Sequence, residues 1–423
     1  MNKARRLMDD CFLHDKDRLK HADALKLIAE RVDVVAEVRS TALAEAHGRV
    51  AAETVVAPRD VPDFANAAVD GYAFAHASLG PGETKLKVGL RIAAGDPAGA
   101  VLGPKEAARI FTGAPMPGGS DTCVMQEDAR VEGEWIIVPP GLKCGANRRR
   151  AGEDLKKGET VVRRGDRLRP QEIAAIASTG RAGIDCFERL RIGLLSTGNE
   201  LVRPGAELRR GEVYDSNHVM LRGLIAASGA EAVDFGMAPD DPTAVERLVA
   251  KAAEQCHAIV TTGGASRGDA DHIVATIMKM GVLHAWQLAV KPGRPLAMGQ
   301  IGDRVFLGLP GNPVAVFVTY LLYVQPVLAR LQGRIWREPQ RYAVAAGFTV
   351  KKKKTGRREF WRGWIETGES GARVNKFARD GSGLISGLRE ATGLIEAAEE
   401  VSEVREGDLV DFIPFSEFGI LPR

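Results

Sequence analysis

The hydrophobic and polar positions change their rhythm several times along the chain. In DALKLIAERV, Asp23 to Val32, the apolar residues Leu25, Ile28 and Val32 recur at helical spacing, which predicts a helix. From about Val55 short β-type runs follow, broken by Pro58, Pro62, Pro81, Gly95, Pro97 and Gly103 and continuing through EWIIVPP near Pro140, so a small β-rich module is expected. Pro170 then stands at the first position of a helix, QEIAAIAST, that stops at Gly180. From Arg191 to about Gly333 the pattern is that of buried parallel strands, RIGLLSTG and HAIVTTGG, each ending in a glycine turn. Helices fall between them: Asn217 is expected to cap a segment through Ser228, and Asp241 with Pro242 to open a helix towards Gln255. RVFLGLPGNP leads into VAVFVTYLLYVQPVLARL, completing a doubly wound α/β domain. After Pro339 strand-like alternation returns in YAVAAGFTV and EFWRGWI, predicting a small all-β domain.

Composition narrows the classes of function. The 423 residues allow two to four domains at roughly 100–200 residues each. Lys plus Arg total 58 against 55 Asp plus Glu, a net charge of +3 that is too balanced for coating nucleic acid. The longest apolar stretch, Val314 to Val324, falls short of the roughly 20 residues of a bilayer span, and Asp9, Asp10, Asp15 and Asp17 interrupt any secretory leader, so a cytoplasmic protein with no membrane partner is expected. The five cysteines, Cys11, Cys123, Cys144, Cys186 and Cys256, never form C-x-x-C and read as buried or idle thiols. The basic run Lys351 to Lys354 reads as a solvated strand edge.

Ligands of open α/β sheets bind beyond the carboxyl ends of the strands, and the candidate chemistry clusters in those turns. STGNE supplies Glu200, APDD supplies Asp240 and Asp241, and TTGGASRGDAD supplies Gly263, Gly264, Ser266, Asp269 and Asp271. KPGRP contributes Lys291 and Arg294, and LPGNP contributes Gly311 and Asn312. Carboxylates alternating with cations suit an anionic or phosphorylated substrate held with a divalent ion. Asp241 is also an ordinary helix cap, and Gly263-Gly264 is equally an ordinary turn. No P-loop, dinucleotide fingerprint or zinc-hydrolase motif occurs. In the β module, PDFANAAVDGYAF places Asp70 before Gly71, and FTGAPMPGGSDTCVMQED stiffens the chain around Thr112.

AVDGYA, TGAPMP with GGSDTCVMQED, RRAGEDLKKG, STGNEL, YDSN, APDD, TTGGASRGDAD, KPGRP, GLPGNP, and REFWRG with DGSGLISGL occur in that order over nearly the whole chain. Together they resemble the molybdopterin molybdenumtransferase (molybdenum insertase) family, which includes bacterial MoeA and the gephyrin E domain. The resemblance implies an elongated homodimer with a split helical N-terminal domain (1–57 and 145–186), an inserted β-rich domain (58–144), an α/β molybdopterin-binding domain (187–334) and a C-terminal small β-barrel (335–423). It implies an enzyme that inserts molybdenum from molybdate into adenylylated molybdopterin, cleaving the adenylyl phosphoanhydride with Mg²⁺ and releasing AMP.

By position, Asp70, Glu200, Asp240 and Asp271 match the family's catalytic acids, with Asp70 reaching across from the partner subunit. Glu200, Asp240 and Asp271 match as metal ligands. Thr112, Asp154, Gly263, Gly264, Ser266, Lys291, Arg294, Pro310, Pro313, Arg362, Ser382 and Ser386 match substrate-binding positions. Arg294 stands where Lys is common, and Ala315 where PGNPVS would supply a hydroxyl. The resemblance also implies the upstream adenylyltransferase and recipient molybdoenzymes as partners. The alternatives are a pterin-binding scaffold of the same fold that no longer turns over, and a molybdopterin adenylyltransferase; retention of the acids argues against the first, and the AVDGYA and TGAPMP modules against the second.

Overall fold

The computed structural model describes residues 18–238, 241–263, 272–369 and 371–421. The helix His21–Arg31 forms where the apolar spacing placed it, burying Ala24 and Ile28. The chain then pairs with a segment far ahead in sequence. Val38–Ala42 runs antiparallel to Gly183–Phe187, Val50–Ala51 joins the same sheet, and Val55–Val56 meets Thr160–Val162. Further out, Asn66–Ala67 pairs with Arg148–Arg149. What lies between folds separately as a six-stranded sheet in the order 122–125, 71–74, 106–110, 84–92, 135–138, 130–132. The returning segment closes with the helix Pro170–Ser178, whose proline sits in the first turn and whose Glu172 side chain accepts from the Arg169 N–H at 2.9 Å.

The α/β sheet has the strand order 231–238, 191–197, 258–262, 304–309, 295–301, 282–287. The first four strands are parallel to one another, and the last two join antiparallel. Side chains alternate between two cores across the sheet, as the strand period of two requires. Ile192, Leu194 and Val260 face the long helix Pro313–Leu331 and the helix Ser216–Ala227, while Leu195 and Ile259 face Pro242–Gln255 and His272–Met280. Helices on both faces make the sheet doubly wound.

Three local expectations change. Asp215, not Asn217, caps the helix Ser216–Ala227, because its carboxylate accepts from the His218 N–H at 3.0 Å; Asn217 lies inside the first turn and donates to the Gly311 carbonyl at 2.6 Å. Pro313–Leu331 is long and apolar enough to cross a bilayer by length and composition, against the sequence reading, yet its surface is spent inside the protein, where Tyr320 and Tyr323 are fully buried. Lys353 is no solvated edge residue: it is 5% exposed, and its ammonium donates to the carbonyls of Arg357, Ala398 and Val401 at 2.8, 2.6 and 3.1 Å.

The C-terminal part is a closed five-stranded barrel of 358–368, 371–376, 342–346, 409–414 and 393–397, closed by the pairing of Arg358–Gly368 with Gly393–Ala397. Val290–Lys291, from the α/β part, adds beside Arg358–Glu359 as a parallel strand. That pairing fixes the KPGRP loop against the barrel wall.

Candidate active site

The four parallel strands end at Thr197, Ala238, Thr262 and Leu309, so the turns that follow share one rim of the sheet. Val282–Gln287 is reached through two antiparallel pairings and therefore runs with those four, which brings Lys291 out on the same rim. At about 4.8 Å per strand, Glu200 and Lys291 leave the sheet at positions roughly 20 Å apart.

Glycine is obligatory at two of these turns. Gly263 has φ +80°, and a Cβ there would lie 2.5 Å from Thr197 Oγ1. Gly293, in KPGRP, has φ +95°, and a Cβ would meet Thr319 Oγ1 at 2.2 Å. Glu200 is exposed and its carboxylate folds over Gly198. The Glu200 carbonyl accepts from the Val213 N–H at 2.7 Å, which anchors the turn to the pair Leu201–Val202 and Val213–Tyr214.

Where the rim meets the barrel lies a cleft of about 240 Å³, lined by Lys291, Gly293, Pro310, Asn312 and Ala315 on one side and by Trp361, Arg362, Lys376, Asp380 and Ser382 on the other. Lys291 Nζ is 3.6 Å from Glu359 Oε2 and 4.0 Å from Asp380 Oδ2, and Lys376 Nζ is 2.5 Å from Asp380 Oδ1. Burial works to raise the Asp380 carboxyl, but the hydrogen bond and charge of Lys376, with Lys291 and Arg362 nearby, hold it below the usual range. Glu359 is buried, accepting from Arg357 Nε and Trp361 Nε1, both at 2.9 Å. Lys291 is therefore steered from behind by a fixed carboxylate and keeps an open face to the cleft.

Arg362 is 5% exposed, and its guanidinium is spent on the loop above it. It donates to the carbonyls of Leu384 at 2.8 Å, Arg379 at 2.6 Å and Gly381 at 3.3 Å, and stacks on Phe377. Burial pushes its pKa down without neutralising it. The loop so held carries Ser382, whose carbonyl accepts from the Val314 N–H at 2.9 Å and ties the barrel loop to the start of the long helix.

The cleft gathers Lys291, Pro310, Arg362 and Ser382 from the expected substrate positions. Arg294 is exposed, Pro313 opens the long helix, and Ser386 begins the helix Ser386–Glu390; none of the three lines the cleft. Asp240, Gly264, Ser266 and Asp271 lie outside the described residues. Sequence reasoning missed Lys376, Asp380, Glu359 and Trp361. Glu359 and Trp361 lie in REFWRG and Asp380 opens DGSGLISGL, but neither motif shows which way these side chains face; register does, since Glu359 pairs with Lys291 on one side and Ala397 on the other, and Lys376 lies in no quoted motif.

A second group of expected residues sits on the six-stranded sheet. Asp70 Oδ1 accepts from both the Thr112 N–H and its hydroxyl at 2.8 Å, which holds the Asp70 carboxyl below its usual range. Gly71 follows because a Cβ there would fall 1.9 Å from the Val124 carbonyl oxygen. Arg109 stacks between Tyr72 and Phe111 at 5.0 and 4.9 Å and contributes to the same field. Asp154, on the returning segment, is exposed and its backbone N–H donates to Val61 O at 3.0 Å. Asp70, Thr112 and Asp154 do not line the Lys291 cleft of their own chain.

Among the described residues no group of three or more His, Cys, Asp and Glu side chains gathers as a metal site. Of the three expected metal ligands Glu200 alone is described, and as an exposed carboxylate beside a glycine turn it has the oxygen chemistry Mg²⁺ takes.

Three family descriptions match the chain in order: the MoeA N-terminal region (domain I and II) over residues 19–180, a probable molybdopterin binding domain over 193–330, and the MoeA C-terminal region (domain IV) over 346–415. A molybdopterin molybdenumtransferase of Haemophilus influenzae is 37% identical over 377 residues, covering 88% of this chain and 93% of that protein. One of Nostoc is 35% identical and covers 68% of each. The crystal structure of a molybdopterin biosynthesis MoeA protein from Pyrococcus horikoshii OT3 superposes with a TM-score of 0.80 at 28% identity, over 94% of this chain and 100% of that one. Domain order, identity over most of the chain and fold agree, and the chain belongs to the molybdopterin molybdenumtransferase family, transferases of molybdenum cofactor biosynthesis.

Proposed function

We propose that this chain inserts molybdenum from molybdate into adenylylated molybdopterin, with cleavage of the adenylyl phosphoanhydride and release of AMP, as a cytoplasmic homodimer. The observation that carries the reading is the cleft in which Lys291 and Lys376 converge with Ser382. A tetrahedral dianion needs cations and a hydroxyl donor on a rigid frame, and this cleft has both. Lys291 supplies the charge, held off its own carboxylates at 3.6 and 4.0 Å; Arg362 acts through the 379–384 loop, fixing where Ser382 stands.

The pterin's phosphate end lies along the rim, towards Glu200 and the glycine turn at Gly263. Mg²⁺, held by Glu200 with Asp240 and Asp271, would offset phosphate charge as the phosphoanhydride breaks. Asp70 belongs to the cleft of the other subunit, pre-ionised by its two bonds from Thr112. The upstream adenylyltransferase and the recipient molybdoenzymes are the partners on either side of the reaction.

The test is reconstitution with purified protein, adenylylated molybdopterin, molybdate and Mg²⁺, measuring AMP release and active cofactor together. Wild type is expected to yield both in parallel. Asp70→Asn and Glu200→Gln are expected to stay folded and lose both by 100-fold or more, about 2.7 kcal/mol of transition-state stabilisation. Wild-type rates in either variant would remove that residue from the reaction, and absence of AMP release by wild type would refute the reading.

A further inference from the structure

A second cavity, of about 480 Å³, lies beside the C-terminal part of the long helix, with Gln325 in its wall. Three pieces of chain enclose it: Val161 to Glu172 of the returning segment, Gln325 to Pro339, and Glu417 to Gly419. It shares no lining residue with the Lys291 cleft. Four arginines line it, Arg167, Arg169, Arg334 and Arg337.

None of its carboxylates forms an ion pair with Arg167 or Arg334. Asp166 accepts from the Arg163 N–H at 2.9 Å, Glu172 is paired with Arg169, and Glu417 accepts from the Gln340 N–H at 3.1 Å. Arg167 and Arg334 make no ion pair and no side-chain hydrogen bond with any described residue. Arg167 is nevertheless held in place. Three glycine turns, Gly48, Gly229 and Gly419, close around its guanidinium, and a Cβ on each would lie 3.7 to 3.9 Å from one of its nitrogens. Burial and then the charge of Arg167 push Arg334 down to about 10, and burial with Arg189 lowers Arg167; both stay charged at neutral pH.

Two partly buried guanidiniums lining one cavity with no ion-pair partner of their own cost stability, and a fold keeps such a pair at a loss unless something neutralises it. The planar fork of arginine matches the two-oxygen edge of a phosphate or carboxylate. The remaining wall includes Trp336, Ile335 and Val161, apolar surface a bare ion would leave uncovered. The volume is that of a small organic ligand.

We propose that this cavity binds a small oxyanionic molecule, Arg167 and Arg334 gripping its phosphate or carboxylate and Trp336 with Ile335 covering its organic part. The inference does not depend on the reaction assigned to the Lys291 cleft.

The test uses the full-length protein, with pyrophosphate, AMP and citrate as probes, in calorimetric titration and thermal unfolding. At least one probe is expected to bind wild type and Lys291→Ala equally and to bind Arg334→Met at least 10-fold more weakly. A phosphate probe or citrate as the tightest ligand identifies the anion class. Without ligand, Arg334→Met is expected to melt at or above the wild-type temperature, since the substitution removes an unpaired charge. Arg167→Met should repeat the binding loss. The proposal is overturned if no probe binds at millimolar concentration, if Arg334→Met binds as wild type does, or if its unliganded melting temperature falls by several degrees, which would make Arg334 a structural strut.

Discussion

Lys291 is a cation that the fold holds near two carboxylates without letting it close on either. At 3.6 Å from Glu359 and 4.0 Å from Asp380 it has the reach of an ion pair but not the geometry of a short one. An incoming dianion therefore competes against weak contacts. Removing the ammonium should act on molybdate more than on the pterin. For Lys291→Ala, the molybdate concentration giving half-maximal cofactor formation is expected to rise at least 10-fold, about 1.4 kcal/mol, while affinity for adenylylated molybdopterin changes less than threefold. An unchanged molybdate dependence would take Lys291 out of the oxyanion grip. Lys291 was legible in the sequence because two cations in a stiff Pro-Gly-Pro loop serve neither a core nor a turn. Lys376 was not, because a single charge in a run of strand looks like any solvated edge until the barrel closes; Asp380 opens the DGSGLISGL motif, but its pairing with Lys376 and Lys291 shows only in the fold. Lys353 shows the converse: its run of four lysines reads as surface, and only the ring of carbonyls around its ammonium distinguishes it from its neighbours.

At the scale of elements, the helix His21–Arg31 is bound to the rest of the molecule through an uncharged histidine. The His21 ring packs edge-on against Tyr323 and Phe360, and its Nδ1 lies 2.9 Å from the Tyr323 hydroxyl. Burial first, then the charges of Arg358 and Arg341, push it down to about 4. Below about pH 6.5 the unfolded chain takes up a proton that the folded chain refuses until about pH 4, so stability falls as pH drops through that window. The group contributes roughly 3 kcal/mol to that acid loss. His21→Phe keeps the ring contacts and is expected to flatten the fall between pH 6.5 and 4, read from urea unfolding at several pH values. A variant whose stability falls in parallel with wild type would show that other groups set the acid limit. Strands with continuous apolar runs, such as Arg191–Thr197, and helices opened by proline, such as Pro170–Ser178, were readable from the chain because burial and φ restriction act locally. The cap at Asp215 was misread because Asp215 and Asn217 have similar capping chemistry, and only the bond to the His218 N–H decides between them.

The molecule as a whole places Asp70 on one sheet and Lys291 at the foot of another, with neither residue in the other's cleft within a single chain. If a complete site takes Asp70 from one chain and Lys291 from the other, two impaired variants can mend each other at a molybdate concentration too low for Lys291→Ala to turn over. Mixed and allowed to exchange subunits, Asp70→Asn and Lys291→Ala are expected to regain activity, up to roughly a quarter of wild type, because each heterodimer carries one intact site and one doubly damaged site. No recovery, with exchange verified by mass, would put both residues in a site of one chain. The expectation of a shared site comes only from the family resemblance, since nothing local to AVDGYA says which surface its acid will face.

The way the N-terminal part is stitched has its own implication. Ala57 and Glu159 are already joined by a 2.9 Å backbone hydrogen bond, at the point where the chain departs for its excursion and comes home. A short glycine bridge could splice those two ends, deleting the whole outlying sheet while leaving the scaffold it hangs from intact. Such a pruned chain would separate, in one polypeptide, the capacity to fold from whatever the outlying sheet and its Asp70–Thr112 pair contribute.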